Sequence, residues 1–267
     1  MQIREHAVHP RLAPFVRLLW SMEGRVPEEA APPQRVVPDG IVEMVFHVGT
    51  PWLMRFADRR YDTQPRAFAI LQARRFIELQ PSAATGFVAV RFHPWGGCHF
   101  LGLPVSALGD AAVPIEELWG SAATTLVECL VEAPTQDARV SLIQRFLLGR
   151  LERHGRADVA PIVRAVWSRR GRIRIDRLAG DLGMGVRSLE RTFARSIGTT
   201  PKQFARLSRF LHGCELLRTH PGRSHAELAL QAGYFDQSHL IRDFTQLAGM
   251  TPGEFCRREH VAALTLE

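Results

Sequence analysis

The feature that most constrains this fold is a stretch of sequence that occurs twice in the second half of the chain. One copy spans residues 178–204 and the other spans residues 228–255. The identical residues in matched positions are Leu178, Ala179, Gly183, Leu189, Arg191, Phe193, Gly198, Thr200, Pro201 and Phe204 in the first copy, and Leu228, Ala229, Gly233, Leu240, Arg242, Phe244, Gly249, Thr251, Pro252 and Phe255 in the second. Unrelated helices do not share so many identities in register, so we interpret the repeat as an internal duplication.

Each copy has the pattern of two helices joined by a short turn that contains glycine. Gly183 and Gly233 follow the first helix of each copy, where glycine adopts the left-handed conformation at low cost. Asp236 is suited to cap the second helix of the second copy, whereas Gly185 is a weaker cap in the first. Apolar residues at a spacing of four predict one buried face on each second helix. These residues are Leu189, Phe193 and Ile197, then Leu240, Phe244 and Ala248.

The opposite face of the second helix in the first copy carries Arg187, Arg191 and Arg195. A helix-turn-helix with arginines on its outer face suits the major groove of DNA. The alternative for a single copy is an ordinary helical hairpin with a solvated basic face. Two copies of the same motif favour the DNA-binding interpretation.

These motifs resemble the AraC/XylS family of bacterial transcription regulators. The residues that carry the resemblance are Leu178-Ala179, Gly183, Leu189-x-Arg191-x-Phe193, Gly198-x-Thr200-Pro201 and the segment GYFDQSHLIRDFTQLAGMTPGEF at 233–255. The resemblance covers about residues 158–260 and implies two helix-turn-helix subdomains joined by a long helix, with one recognition helix for each major-groove segment. The chain departs from the family at Gly185-Val186, where members often have Ser-Pro at the start of the first recognition helix.

The resemblance also implies DNA contacts by motif position. The candidates are Arg187, Ser188, Glu190, Arg191 and Arg195 in the first recognition helix, and Gln237, Ser238, Ile241 and Arg242 in the second. Arginine can pair with guanine, glutamine with adenine and glutamate with cytosine, while isoleucine can contact a thymine methyl group. The alternative for any single arginine is a phosphate contact or a solvated charge, because at least half of protein–DNA hydrogen bonds go to the backbone.

A long helix is predicted between the two copies, since Pro201 suits a first helical position and Pro221-Gly222 ends the pattern. Its apolar stripe consists of Phe204, Leu207, Leu211, Cys214 and Leu217. Nineteen residues would span about 28 Å, close to the roughly 34 Å of one turn of B-DNA. We therefore expect this helix to set the recognition helices in successive grooves. Around it, Arg172, Arg206 and Arg209 are either phosphate contacts or solvated surface, and His239 and Asp243 are expected to brace the start of the second recognition helix.

The net charge of +7 is distributed unevenly along the chain. Residues 1–150 carry equal numbers of acidic and basic side chains, so the whole excess lies in residues 151–267, together with the repeat. This is the distribution expected of a phosphate-binding surface. Apart from Lys202, every basic residue is arginine, which reflects either guanidinium chemistry or codon bias.

Cysteine usage and hydropathy predict a cytoplasmic protein without a membrane segment. Cys98, Cys129, Cys214 and Cys256 are far apart and form no CxxC motif, which favours buried thiols over a zinc site or a disulfide. The N-terminal residues contain no apolar core of a signal peptide. No apolar run approaches the length of about 18 residues that a membrane-spanning helix needs.

The first half of the chain has the pattern of a β-rich domain. Pro38-Asp39-Gly40 is a turn signal, and after it Val42, Met44 and Phe46 alternate with Glu43, Val45 and His47. Further candidate strands lie at 52–56, 67–71, 75–79 and 86–93. Short strands with polar turns predict a small antiparallel barrel or sandwich. Helices are predicted at 124–133 and 137–155, and the domain boundary at 155–158.

Three segments of this half resemble the poorly characterised sensor-like domain that precedes the DNA-binding part in one AraC-type subgroup. They are VVPDGIVEMVF at 36–46, AVRFHPWGGCHFLGLP at 89–104 and PIEELWG at 114–120. The resemblance implies a β-rich, barrel-like regulatory domain and no known ligand.

Polar and aromatic residues on these strands suggest a ligand pocket. If the interior is open, Glu43, His47 and Arg91 would line it, with Trp52 and Trp95 on its rim. The alternative is a packed barrel in which the polar groups are paired or exposed. The spacing of His47, His93 and His99 is not that of a metal site, and no serine or cysteine lies in a nucleophile motif. We therefore expect no metal, no cofactor and no catalysis.

The sequence thus predicts an α+β protein with two domains. Residues 1–155 are expected to form a β-rich, barrel-like regulatory domain with flanking helices, and residues 156–267 an all-α DNA-binding domain with two helix-turn-helix subdomains. We interpret the chain as a transcription regulator, activator or repressor, whose N-terminal domain senses a small molecule or mediates dimerisation. Double-stranded DNA is the expected partner, with RNA polymerase, a small effector and a second copy as further candidates. The rival class is an enzyme with an accessory regulator module, such as an alkyl-transfer repair protein with a reactive cysteine.

Overall fold

The computed structural model describes residues 2–25, 32–57, 59–71, 74–151, 159–258 and 261–262. Over these residues, the first half of the chain forms two packed β-sheets with helices, and the second half is almost entirely helical. Within the described ranges, no helix is long and apolar enough to cross a membrane.

Two sheets, rather than one closed barrel, make up the N-terminal domain. The larger sheet contains β1 (Gln2–His6), β2 (Val16–Arg25), β4 (Val42–His47), β7 (Ala67–Leu71), β9 (Ala84–Phe92) and β10 (Ala112–Pro114), in the spatial order β1-β2-β9-β4-β7-β10. The smaller sheet contains β3 (Gln34–Val36), β5 (Leu53–Phe56), β6 (Asp62–Thr63), β8 (Ile77–Gln80) and β11 (Val261–Ala262), in the order β11-β3-β8-β5-β6. The pairs are antiparallel except β11 with β3, which is parallel and brings the end of the chain back to the first domain.

The alternation predicted for β4 is confirmed. Met44 and Phe46 face a core that also contains Ile143, because successive side chains of a strand point to opposite faces of the sheet. Val45 packs instead with residues of the smaller sheet. The core that contains Met44 and Phe46 is covered by three helices: α1 (Ile115–Trp119), α2 (Ser121–Glu132) and α3 (Gln136–Leu151). The helices predicted at 124–133 and 137–155 correspond to α2 and α3, while residues 152–155 and the predicted boundary at 155–158 lie outside the described residues.

Over residues 159–258, the C-terminal domain contains seven helices. They are α4 (Ala160–Ser168), α5 (Ile175–Asp181), α6 (Val186–Ile197), α7 (Pro201–Thr219), α8 (His225–Ala232), α9 (Gln237–Ala248) and α10 (Pro252–Arg257). Each copy of the repeat has its own apolar core, one around Phe193 and one around Phe244. The predicted linker helix is α7, and it enters both cores through Phe204 and Phe210.

The cysteines only partly follow the expectation of buried thiols. Cys98 and Cys214 are buried, but Cys129 and Cys256 are exposed, so the prediction is wrong for these two. The reason is their position on short peripheral helices, since Cys129 lies on the outer face of α2 and Cys256 on α10. All four thiols are free.

A tight turn of the N-terminal domain docks onto the linker helix. Val37 is fully buried in the core of the second helix-turn-helix unit. Gly40 has a φ of +74°, and a Cβ atom there would lie 2.8 Å from Cδ2 of Leu207. Asp39 holds the turn, because its Oδ1 accepts a hydrogen bond from the Ile41 amide at 2.9 Å and its Oδ2 pairs with the buried Arg91. The Pro-Asp-Gly signal is thus both a turn and a domain contact.

Gly171 offers a test of how tightly the helical domain is packed. It follows α4 with a φ of +70°, and a Cβ atom there would overlap the carbonyl oxygen of Ala205 on α7. We expect Gly171→Ala to lower the free energy of unfolding by about 2 kcal/mol or more, since overpacking and left-handed strain each cost about 1–2 kcal/mol. Gly180 in α5 has open space around it, so Gly180→Ala should raise stability by up to ~1 kcal/mol. Urea unfolding of the two variants measures this, and equal midpoints would contradict the packing described.

Candidate DNA-binding interface

The second helices of the two copies, α6 and α9, are built alike. Each is 12 residues long and ends at a glycine in the left-handed conformation, Gly198 or Gly249. Each is followed by a Thr-Pro step in which the threonine side chain forms a reciprocal capping box, with Gln203 after Thr200 and with Glu254 after Thr251. The duplication read from the sequence is therefore a duplication of structure.

The predicted contacts of the first recognition helix lie on one surface. Arg187, Glu190, Arg191 and Arg195 are exposed and Ser188 is half-buried. Leu189 and Phe193 are completely buried on the other side, as their spacing predicts. In the part of the chain that the structure describes, no ion pair or hydrogen bond engages the guanidinium groups of Arg187, Arg191 and Arg195. These cationic groups are available to a polyanion.

The second recognition helix presents Gln237, Ser238 and Arg242 as exposed side chains, with Ile241 half-buried beside them. Its start is fixed by Asp236, whose Oδ1 accepts a hydrogen bond from the His239 amide at 2.7 Å. The His239 ring also packs edge-on against Tyr234, so it does brace the helix start. The first recognition helix has no side-chain cap at Gly185, in agreement with the sequence.

Several other residues of the predicted surface have structural partners instead. Arg206 lies on α7, and its Nη2 is 2.7 Å from Oδ1 of the buried Asp243 in the middle of α9. Arg209 donates from Nη1 to the Gly171 carbonyl at 3.2 Å. Arg172 donates from Nη2 to the Gln231 carbonyl of α8. The expectation that Asp243 braces the helix start is therefore wrong, because Asp243 is buried in the middle of α9 and pairs with Arg206. Arg206 and Arg209 are half-buried rather than solvated, and Arg172 is exposed.

These arginines join the two helix-turn-helix units. Arg172 belongs to the turn after α4, in the first unit, and reaches α8 in the second. In the same turn, Nη1 of Arg170 is 2.6 Å from Oε2 of Glu215 on the linker helix. The units are thus held by the linker helix and by a second connection through residues 169–172. Their relative position is more constrained than a single helix would make it.

The C-terminal ends of both recognition helices pack on the N-terminal domain. Gly198 abuts Leu71 and Val105, and Gly249 abuts the ring of Phe76. Arg35 donates from Nη1 to the carbonyl oxygens of Ala248 and Gly249, at 3.2 Å each. A helix of 12 residues is roughly 18 Å long, so the N-terminal ends of α6 and α9 lie away from these contacts. All of the candidate residues lie in the N-terminal halves of these helices except Arg195, which is exposed in the last turn of α6.

One exposed residue of this region was missed in the sequence. Phe235 is 86% exposed in the turn before α9, and Leu230 on α8 is 62% exposed. An aromatic residue immediately before the capping Asp236 was the available signal, since turn positions are normally polar.

The predicted ligand pocket is only partly where it was expected. A cavity of about 340 Å³ lies between the two sheets, and Glu43, His47 and Trp52 line it. Trp52 is not on the rim but only 5% exposed, because its Nε1 donates to Oγ1 of Thr85 at 2.9 Å. Arg91 does not line the cavity, since it is buried behind Glu43 and paired with Asp39. Trp95 lies elsewhere, stacked on His93 and under Arg164 of α4.

Burial changes the acid–base properties of the cavity residues. Burial lowers the pKa of His47 to about 4, so the ring is neutral at physiological pH. Burial raises the pKa of Glu43, while the nearby Arg91 guanidinium and the Trp20 indole oppose that shift. The cavity wall therefore contains a neutral imidazole. It also contains a carboxyl group whose burial is only partly compensated by the Arg91 guanidinium and the Trp20 indole.

Comparison with known proteins adds independent information. The family model of a helix-turn-helix domain, HTH_18, matches residues 178–258. A second one, described as a domain of unknown function, DUF6597, matches residues 4–114. The N-terminal match covers the two-sheet domain, and the C-terminal match covers both recognition helices.

Among solved structures, the chain is similar to ToxT from Vibrio cholerae O395, with 14% identity over 90% of this chain and 95% of that one, and a TM-score of 0.41. A probable AraC family transcriptional regulator from Rhodopseudomonas palustris is 27% identical over 38% of this chain and 94% of that one, with a TM-score of 0.34. A DNA-binding transcriptional dual regulator from Escherichia coli K-12 is 26% identical over 39% and 93%, with a TM-score of 0.34.

The assignment rests on the duplicated motif and on the helix-turn-helix family match that spans it. Three features of the structure agree with that match: the capping boxes, the paired left-handed glycines and the exposed basic helix face. Residues 178–258 are a helix-turn-helix domain of the HTH_18 family, and the chain is a DNA-binding transcription regulator whose duplicated motif resembles the AraC/XylS family.

Proposed function

We propose that both recognition helices read bases in adjacent major-groove segments of one operator. The reading residues are Arg187, Ser188, Glu190, Arg191 and Arg195 on α6, and Gln237, Ser238, Ile241 and Arg242 on α9. The observation that carries this proposal is the matched pair of helix ends that face away from the N-terminal domain. On α6 the guanidinium groups of Arg187 and Arg191 are unengaged among the described residues, and on α9 Arg242 is exposed and donates only to the Ser238 carbonyl of its own helix. Phosphate contacts would set the register, and base contacts would set the sequence preference.

The N-terminal domain, residues 1–155, is proposed to regulate a DNA-binding domain of residues 156–267. Its cavity would hold a small effector, and RNA polymerase and a second copy of the chain are further proposed partners. A cytoplasmic location fits this function. The exposed Phe235 and Leu230 offer an apolar surface beside the second recognition helix for a protein partner.

The smaller sheet supplies a physical route from the cavity to the second recognition helix. Gln34 and Val36 of β3 line the cavity, while Arg35 between them points to the opposite face. Arg35 is held by Glu78 of β8 at 2.6 Å and by the ring of Phe76 at 4.0 Å. We call the contact of Arg35 and Phe76 with Gly249 the latch. A ligand that displaces β3 or β8 would move the latch, because both faces belong to the same strands.

An enzymatic function with an accessory regulator module is less well supported. A nucleophilic cysteine needs a lowered pKa and an accessible thiol. Burial raises the pKa of the Cys214 thiol far above its ordinary value and also raises that of Cys256. Neither thiol has the environment of an alkyl acceptor.

The main test concerns the spacing of the two recognition helices α6 and α9, which we call the reading heads. The linker helix is 19 residues, or about 28 Å, long, so the heads should read elements about 10 bp apart. An operator selected from random DNA by the purified protein would be prepared with 0, 5 and 10 inserted base pairs between its elements. Five base pairs place the second element on the far face of the duplex, and we expect affinity to fall towards the non-specific level. Equal affinity for all three operators would mean that only one helix reads sequence.

Single arginine substitutions test the base contacts. Arg191→Ala and Arg242→Ala should each lose about 1–3 kcal/mol of specific binding with the fold intact, since they remove a matched guanidinium from each head. Arg60→Ala removes an equally exposed charge from the N-terminal domain and is the control. Binding titrations on the selected operator and on scrambled DNA measure the effect. Wild-type specificity in both variants would remove these residues from the proposed site.

The latch is tested with two arginines that share one partner. Both Arg35 and Arg55 pair with Glu78, but only Arg35 contacts α9. Arg35→Ala leaves Glu78 paired with Arg55 and Tyr61, so the domain should still fold. We expect Arg35→Ala to change the affinity for the operator without inserted base pairs, because it loosens the contact between the N-terminal domain and α9, and Arg55→Ala to leave that affinity unchanged. Equal affinities in the two variants and the wild type would show that the latch does not position the second recognition helix.

A further inference from the structure

The wall of the cavity between the sheets is mainly apolar and aromatic. Its deep part is formed by aromatic and apolar side chains from both sheets: Trp20, Val45, Trp52, Met54, Phe68, Ile70, Ile77, Leu79 and Phe87. At the other end it is bordered by the exposed Ile3 and Glu5 of β1 and the half-buried Gln34. A volume of about 340 Å³ falls in the range of roughly 300–1,000 Å³ that holds small organic ligands. The ligand body that fits such a wall is aromatic or otherwise apolar.

The hydrogen-bonding state of His47 follows from its neighbours. The Gln64 amide nitrogen lies 3.7 Å from Sδ of Met54, which can only accept, so the Gln64 amide oxygen faces His47. This oxygen is 2.8 Å from Nε2 of His47, and Nε2 must therefore carry the proton. Nδ1 is then an acceptor, and none of the described residues donates to it. His47, which lines the cavity, thus contains a buried acceptor without a donor among the described residues.

The donors of the deep wall are already used. Nε1 of Trp20 donates to Oε1 of Glu43 at 3.0 Å, and Nε1 of Trp52 donates to Thr85. Behind the wall, the carboxylates of Asp39 and Glu43 both pair with the guanidinium of Arg91. An anionic ligand would therefore meet the carboxyl group of Glu43, and neither indole N–H is free to pair with the ligand.

We propose that the cavity binds an aromatic compound that carries a hydroxyl or amino donor, and that it rejects the corresponding carboxylate. The donor reaches Nδ1 of His47, with the Glu43 carboxylate as a second acceptor, and the aromatic body packs between Trp20, Trp52 and Phe87. The biological meaning of this binding rests on the proposed sensing role. The binding itself is measured without DNA and does not depend on that role.

Three matched probes decide the class: 2-(1-naphthyl)ethanol, 2-(1-naphthyl)ethylamine and 1-naphthylacetate. They share one aromatic body and differ in the polar end. With the full-length chain, we expect the alcohol and the amine to raise the melting temperature and change tryptophan emission, because ligands that bind the native state stabilise it. The carboxylate should bind at least tenfold more weakly. A carboxylate that binds as well as the alcohol, or no binding of either donor probe at millimolar concentration, overturns the proposal.

Two variants locate the binding site. His47→Phe keeps an aromatic ring but removes the acceptor, and should weaken alcohol binding at least tenfold. Glu43→Gln keeps the shape of the side chain, which safeguards the fold, and should weaken the amine more than the alcohol. Glu23→Gln, an exposed carboxylate on β2, is the control. Unchanged affinities in both cavity variants would place the probes elsewhere and overturn the proposal. Probe binding that leaves operator affinity unchanged would refute the sensing role and leave the ligand class standing.

Discussion

The burial of the linker helix is the constraint on which the rest of the structure depends. Phe204 near its start belongs to the core of the first helix-turn-helix unit, and Phe210 to the core of the second. Between them, Leu207 meets the turn at Gly40 of the N-terminal domain. A single helix therefore has three partners, and none of its apolar positions can be changed without affecting at least one. Side chains that fill shared cores fix the positions of whole units because protein interiors are close-packed.

The same packing gives each recognition helix a fixed end and an uncovered end. Gly198 and Gly249 allow the chain to turn where a side chain would collide with Leu71 or Phe76. The N-terminal domain can approach both helices only because these positions lack a Cβ atom. Contacts with the N-terminal domain and the proposed DNA contacts thus lie mostly at opposite ends of one pair of helices.

The two faces of the smaller sheet link the cavity to the C-terminal end of the second recognition helix. Alternation of side chains puts Val36 in the cavity and Arg35 on the latch, within two adjacent residues. The cavity face is apolar, with a neutral His47, whereas the latch face carries ion pairs from Arg35 and Arg55 to the buried Glu78. A ligand need only shift the strand by a fraction of a side chain to strain contacts made to main-chain carbonyls, because hydrogen bonds weaken steeply with distance and angle.

Periodicity alone predicted the recognition helices, their buried faces, the linker helix and the alternation of β4, because these depend on contacts close in sequence. It also placed Arg187, Arg191 and Arg195 on one surface. It could not predict that Arg206 pairs with Asp243 or that Arg91 pairs with Asp39 instead of lining the cavity. Nor could it predict that Trp95 packs against Arg164 of α4 and not beside the cavity. Each of these outcomes depends on a partner far along the chain, and only tertiary packing decides which charged group is close enough to compensate a buried one.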